Sequence, residues 1–193
     1  MKRVCVFCGS STGSRPVYLE TARDMGKALL RKRIGLVYGG GRRGLMGAIA
    51  DCVLEGGGEV IGVIPEPMVS LEVAHNGVTE LRVVHSMHER KAMMADLSDA
   101  FIALPGGFGT FEEFCEAITW AQLGLHLKPC GVLNVEGYYD SLLALFDRAV
   151  AEAFVSPINR RIVLQETDPN RLLDLLAGYT PPQVEKWIVR DES

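Results

Sequence analysis

The chain reads as an α/β protein with a parallel sheet covered on both faces. Three observations predict this. Short apolar runs alternate with helical patterns along the sequence. Glycine- or serine-rich turns, Gly9-Ser10-Ser11, Gly39–Gly44 and Pro105–Thr110, each follow an apolar run directly. The 193 residues, 48% hydrophobic and 23% charged, suffice for one substantial core and contain no repeat or low-complexity linker. We assign one domain to residues 1–180 and a tail to 181–193, which starts at Pro181-Pro182.

The elements follow in order. Val4–Cys8 is a short apolar run ended by Gly9, a first buried strand. Pro16 suits an early helix position and Val17–Arg31 carries helical periodicity. Ile34–Tyr38 is the second strand, followed by a helix over Leu45–Glu55 that Gly56–Gly58 stops. Glu59–Ile64 is the third strand, ended by Pro65. Residues Glu66–Thr79 read as a loop with a short helical piece. Leu81–Val84 is the fourth strand, Ser86–Leu97 a helix and Ala100–Leu104 the fifth strand. A helix over Phe111–Leu123, a strand over Pro129–Asn134, a helix over Tyr138–Ala153 and a short strand over Ile162–Gln165 come next. Asp168 then caps a last helix, Pro169–Ala177.

In open parallel sheets, ligands bind beyond the carboxyl ends of the strands, where these three turns gather. Pro105–Glu113 reads P-G-G-F-G-T-F-E-E between a strand and a helix. Gly106, Gly107 and Gly109 let the backbone approach a ligand. The first helical N–H groups lack partners and favour an anion. Thr110 is placed to cap the helix, and Glu112 and Glu113 fall in its first turn. The stretch is a phosphate cradle with an acid beside it; the bland reading is a glycine turn with ordinary acids.

Gly39–Gly44 fits G-x-G-x-x-G after a strand and before a helix. The acid expected near the end of the next strand is only roughly matched by Glu66, beyond Pro65. We therefore favour a mononucleotide over a dinucleotide, with plain tight packing as the alternative. Arg90 and Lys91 put two cations near a helix start, where the dipole disfavours them; a bound anion would offset that cost, and a solvated surface pair is the rival reading. Cys5-x-x-Cys8 lies inside a strand and reads as buried thiols rather than a redox pair. The four histidines have no metal-ligand spacing, and no G-x-x-x-x-G-K-[ST] is present.

The net charge of −4 argues against a nucleic-acid polymer or membrane surface as partner. Val4–Cys8 is too short for a signal peptide, and no run spans a bilayer. Five irregularly placed cysteines suggest reduced thiols in the cytoplasm.

Taken together, P-G-G-F-G-T-F-E-E, G-G-G-R-R-G-L-M-G at Gly39–Gly47 and S-M-H-E-R-K-A at Ser86–Ala92 resemble the Lonely Guy family. The likeness extends through I-T-W-A-Q-L-G at Ile118–Gly124, L-N-V-E-G-Y-Y-D at Leu133–Asp140 and the N-terminal F-C-G-S-S, to about Ala153. That family comprises cytokinin riboside 5′-monophosphate phosphoribohydrolases, long mislabelled as lysine decarboxylases. The resemblance implies a Rossmann-like, doubly wound sheet and a homodimer. It also implies hydrolysis of the N-glycosidic bond of a purine nucleoside 5′-monophosphate, giving free base and ribose 5-phosphate, with no cofactor and no metal. It makes Arg90 and Glu113 the catalytic pair. Substrate-binding positions become Glu72, Lys91, Thr119 and the loop Gly106, Gly107, Phe108, Gly109 and Thr110, with Ser10, Gly41 and Met46 from the other two turns. Trp120 is a candidate contact with the partner chain or a core tryptophan.

On this reading the 5′-phosphate sits on the N–H groups of Gly107–Thr110, and Glu113 stabilises the cationic ribose and orients or deprotonates water. Glu72 holds ribose hydroxyls. Arg90 has no acceptor and keeps its charge, so it anchors phosphate or orients Glu113 rather than acting as an acid. The rivals are a non-catalytic nucleotide or cofactor carrier on the same fold, a pyridoxal-phosphate lysine decarboxylase with Lys91 near the site, and an NAD(P) dehydrogenase.

Overall fold

Alternate residues of β1 (Arg3–Phe7) enter two different cores: Val4 and Val6 pack on one side of the sheet, Cys5 and Phe7 on the other. The same alternation runs through β2 (Gly35–Tyr38) and β5 (Ala100–Ala103), and all three strands are buried on both faces. That is why they read as continuous apolar runs rather than as alternating ones. The computed structural model describes residues 1–69 and 74–182.

With β3 (Val60–Pro65), β4 (Glu80–Val84), β6 (Cys130–Leu133) and β7 (Val163–Glu166), these strands form a seven-stranded parallel sheet in the order β4-β3-β2-β1-β5-β6-β7. Helices α1 (Pro16–Lys32), α2 (Gly44–Glu55) and α7 (Pro169–Ala177) cover one face. Helices α3 (Met87–Leu97), α4 (Phe108–Gln122) and α5 (Asp140–Ala151) cover the other. The strand after β1 lies on one side of it and β5 on the other, so the chain winds away in opposite directions from this pair. A crevice opens there at the carboxyl edge, the topological switch point. The fold is the Rossmann-like doubly wound α/β sheet, in a single domain.

Three elements differ from expectation. Helix α4 starts at Phe108, three residues earlier than Phe111, because Gly107 takes an extended conformation (φ −100, ψ −156) and its carbonyl accepts from Phe111 N at 3.1 Å. Helix α5 starts at Asp140 instead of Tyr138: a 3-10 turn, Val135–Gly137, precedes it, with Glu136 left-handed at φ 46. A short helix α6, Pro157–Arg160, falls where none was expected; Ser156 caps it by accepting from Asn159 N at 3.1 Å. The 66–79 loop does contain a 3-10 turn, Glu66–Met68, but residues 70–73 lie outside those described, as do residues 183–193 of the tail. The last helix is as expected: Asp168 accepts from Arg171 N at 2.9 Å and caps α7.

Candidate active site

The crevice is built on the ends of β1 and β5. The Gly9 N–H donates to the Pro105 carbonyl at 3.1 Å and ties the two turns together. On one side of this tie lies a compartment of about 300 Å3 that Ser10, Met46, Arg90, Gly107 and Glu113 help to line. On the other lies one of about 280 Å3, lined in part by Ser11, Tyr18, Gly106 and Tyr138. Gly9, Ser10 and Gly107 border both.

The N-terminus of α4 faces the first compartment. Gly107 is its N-cap and has no capping side chain. Among the described residues, the N–H groups of Phe108, Gly109 and Thr110 have no protein acceptor. Added Cβ atoms at Gly107 and Gly109 would meet nothing within 4 Å, so the protein's own packing does not demand glycine at either position. A cradle of free donors that a Cβ would fill is an anion receptor. Thr110 is not the cap expected: it sits at the third helical position, its side chain buried against Gly106. Glu112 and Glu113 accordingly fall in the second turn, and the first turn carries no acid to repel an anion.

The other glycine turn has a different task. The N–H groups of Leu45 and Met46 at the start of α2 both go to the Gly9 carbonyl, at 3.0 and 3.4 Å. The helix end that a nucleotide phosphate would need is thus occupied by the protein. A Cβ on Gly44 would lie 2.3 Å from the Ser10 carbonyl carbon, so its absence lets α2 press against the β1 turn. Gly41 is buried in an isolated bridge with Ala74, outside the crevice. Of the three readings of Gly39–Gly44, tight packing fits this geometry.

Arg90 is 5% exposed. Its Nη2 donates to the Gly39 carbonyl at 3.2 Å and stands 3.9 Å from Glu113 Oε1. Its Nε, buried, has no hydrogen-bond partner among the described residues. Glu113 is also largely sheltered, with 12% of its side chain exposed. The buried guanidinium and the sheltered carboxylate thus stand side by side, each limiting where the other can go. Lys91 points elsewhere, to Glu112 at 2.6 Å and Glu116 at 2.9 Å. The cost of two cations early in α3 is offset by carboxylates of α4, which neither sequence reading had supplied. Burial pulls the Lys91 pKa down, but these two bonds outweigh it and leave it raised.

The expected residues therefore divide. Ser10, Met46, Arg90, Gly107, Phe108, Gly109, Thr110 and Glu113 come together around the first compartment, and Gly106 lines the second. Lys91 and Gly41 do not reach it in this chain. Nor does Thr119, whose hydroxyl donates to the Cys115 carbonyl at 2.8 Å and which borders a separate groove with Ile118, Phe146 and Val155. Glu72 lies outside the described residues. Trp120 is partly buried and packs on the α3–α4 core.

Sequence reasoning missed Cys8, Met68 and Met87, which line the first compartment, and Tyr138, which lines the second. Cys8 carried a signal, being the last residue before the glycine turn. Cys5 and Cys8 belong to opposite faces of the sheet, which excludes a bond between them. Burial, with the Glu113 charge adding to it, pushes both thiols up and away from reactivity. Among the described residues no group of His, Cys, Asp and Glu is arranged to hold a metal, and no helix is long and apolar enough to cross a membrane.

Such a chain is a Rossmann-like α/β protein with an anion-receptive helix end and a buried arginine–glutamate pair at its switch point. Residues 46–176 match the family model described as "Possible lysine decarboxylase". LOG7 of Arabidopsis thaliana, a cytokinin riboside 5′-monophosphate phosphoribohydrolase, is 50% identical over 193 residues, 99% of this chain and 89% of its own. The rice protein LOGL9, named as a probable enzyme of the same kind, is 54% identical over 180 residues, 93% of this chain and 79% of its own. The chain belongs to this family, the Lonely Guy family. The molybdenum cofactor carrier protein of Chlamydomonas reinhardtii superposes with a TM-score of 0.70 over 92% of this chain and 99% of its own; at 21% identity this shows a common fold.

The decarboxylase description would require a lysine to form a Schiff base with pyridoxal phosphate. Among the described residues Lys91 is the lysine nearest the crevice, and it is held protonated between two carboxylates and turned from the cavity. The residues present do not fit that cofactor.

Proposed function

We propose that the chain hydrolyses the N-glycosidic bond of purine nucleoside 5′-monophosphates of the N6-modified adenine or AMP type, releasing the base and ribose 5-phosphate. One observation carries this reading. The free N–H groups of Phe108–Thr110 and the Glu113 carboxylate share one compartment and one helix, separated by about one turn, roughly 5 Å, the scale of a ribose. A phosphate gripped at the helix end brings the anomeric carbon to Glu113.

The chemistry follows from the pair. Breaking the C1′–N9 bond leaves positive charge on the ribose, which the Glu113 carboxylate stabilises. The same carboxylate orients a water for attack at C1′. The water oxygen bonds to C1′, and on balance its proton leaves with the purine. Arg90 stands beside Glu113, anchored on the Gly39 carbonyl, so it keeps the carboxylate aimed. Met46, Met68 and Met87 give the compartment an apolar, adaptable wall for the base. Glu72, in the segment before α3, is assigned to the ribose hydroxyls. A carrier would leave the buried Arg90–Glu113 pair without a task.

The working form is a homodimer in the cytoplasm. Thr119, remote from its own compartment, reaches substrate from the partner subunit. The groove it borders, together with Phe154 at 86% exposed, supplies apolar surface for that contact. Five free cysteines suit a reducing compartment.

The test is to incubate the protein with AMP and with its N6-isopentenyl analogue and to follow free base by chromatography. Glu113→Gln is expected to bind nucleotide and lose most turnover. Turnover at the parental rate would overturn the assignment, and tight nucleotide retention without base release would favour a carrier.

A further inference from the structure

The acceptors of the glycine turn are all tied back. The Leu104 carbonyl accepts from the Tyr139 hydroxyl at 2.6 Å, the Pro105 carbonyl from Gly9 N at 3.1 Å, and the Gly106 carbonyl from the Tyr138 hydroxyl at 2.5 Å. Immediately beyond, the N–H groups of Phe108–Thr110 have no protein acceptor among the described residues. The turn is thus polarised, with three consecutive carbonyls held by donors and the following amides left for a ligand. In a planar trans peptide, C=O and N–H point in opposite directions. Tyr138 and Gly106 line the second compartment, so the Tyr138 hydroxyl holds the Gly106 carbonyl there, and the N–H of the same peptide unit, that of Gly107, points away from that carbonyl.

We propose that Tyr138 and Tyr139 are positioning residues of the phosphate site, which orient the Leu104–Gly107 peptides so that the loop offers donors and withholds its carbonyl oxygens from a dianion. This rests on the reading that the anion is the substrate's phosphate. The two tyrosines are themselves held. The Asn134 side chain accepts from Tyr139 N at 2.8 Å and donates to Asp140 Oδ1 at 2.7 Å. Glu136, in the left-handed turn just before, pairs with Arg15. Tyr138 meets Tyr18 and Tyr139 edge to face, with ring centres 5.7 and 5.2 Å apart. Burial, and next to it Tyr138, pushes the Tyr139 phenol up, so it remains an O–H donor. A peptide free to rotate would let a carbonyl oxygen swing toward the phosphate, and preorganisation would be lost.

The test is direct titration of the parent and of Tyr138→Phe, which keeps the ring and its contacts, with ribose 5-phosphate and separately with adenine. The variant is expected to bind ribose 5-phosphate about five- to tenfold more weakly and adenine as the parent does. General loosening of the fold would weaken both ligands alike. Unchanged affinity for ribose 5-phosphate, equal weakening of both ligands, or a parent that does not bind ribose 5-phosphate would each overturn the proposal. A parent that binds ribose 5-phosphate but releases no base from nucleotides overturns the hydrolase reading instead, and the comparison of the two proteins still decides the role of Tyr138.

Discussion

The guanidinium of Arg90 fills the space that a side chain at position 39 would need: Nη2 stands 1.9 Å from where a Cβ on Gly39 would fall and donates to the Gly39 carbonyl at 3.2 Å. Glycine at 39 is therefore part of the arginine's seat, and through it part of the Glu113 site. Gly39→Ala must displace the guanidinium from this seat and so disturb its placement beside Glu113. A displacement of about 1 Å at a reacting group costs on the order of 10²-fold in rate, and overpacking a buried site costs about 1–3 kcal/mol. We expect kcat to fall about a hundredfold with a lowered Tm. Steady-state kinetics and a thermal melt check this, and a parental kcat would contradict it.

Gly109→Ala should behave in the opposite way. A Cβ there meets nothing within 4 Å, and the position is the second of helix α4. Replacing glycine by alanine where the backbone permits it stabilises by about 0.4–1 kcal/mol through the unfolded chain. The same methyl stands where the anion must approach, so KM for the monophosphate should rise about tenfold or more. A higher Tm together with a higher KM is the signature. A raised Tm with unchanged KM would place the phosphate elsewhere.

The central strands were legible because β1, β2 and β5 are buried on both faces and so appear as unbroken apolar runs, as in Ala100–Ala103. What the sequence hid was long-range. Gly39–Gly44 has the spacing of a phosphate loop, but the Gly9 carbonyl, from a distant turn, consumes the α2 donors. Thr110 resembles a cap, yet Gly107 three residues earlier begins the helix without one. Nothing local to Tyr138 and Tyr139 announces that their hydroxyls reach carbonyls 32 and 35 residues away. Arg90 and Lys91, adjacent in sequence, diverge to different carboxylates of α4, a separation that the fold alone decides.

His126 sets an acid limit on stability. Burial, with Lys128 adding to it, lowers its pKa from 6.5 to about 4. The ring lies 5.1 Å from that of Phe101, and its Nδ1 accepts from Lys128 N at 3.1 Å. As pH falls below 6.5 the unfolded chain takes up this proton and the folded one does not, so stability is lost between about pH 6.5 and 4. The ring is only partly buried, which reduces the loss to about 1–2 kcal/mol. His126→Asn should remove that part of the acid slope in denaturant unfolding curves taken at stepped pH. An unchanged slope would mean that the imidazole titrates alike in both states.

Lys91 separates the two activities that the family's names suggest. Its ammonium group is 2.6 Å from Glu112 and 2.9 Å from Glu116, and its side chain is 10% exposed. A Schiff base needs a neutral amine, and these carboxylates hold the proton on. Adding pyridoxal phosphate and borohydride should therefore leave Lys91 unmodified, as peptide mass analysis would report. Structurally, Lys91→Gln removes the shared partner of two carboxylates one turn apart on α4 and leaves them to repel each other. Glu112 is half exposed and Glu116 a quarter exposed, so the cost falls between that of a surface pair and that of a buried one, about 1–2 kcal/mol. Part of this loss should be recovered by the double change with Glu112→Gln, since the repulsion goes with the second charge. If the single and double variants were equally destabilised, the ion pairs would not be what holds α3 to α4 here, and the lysine's charge would be available to a ligand after all.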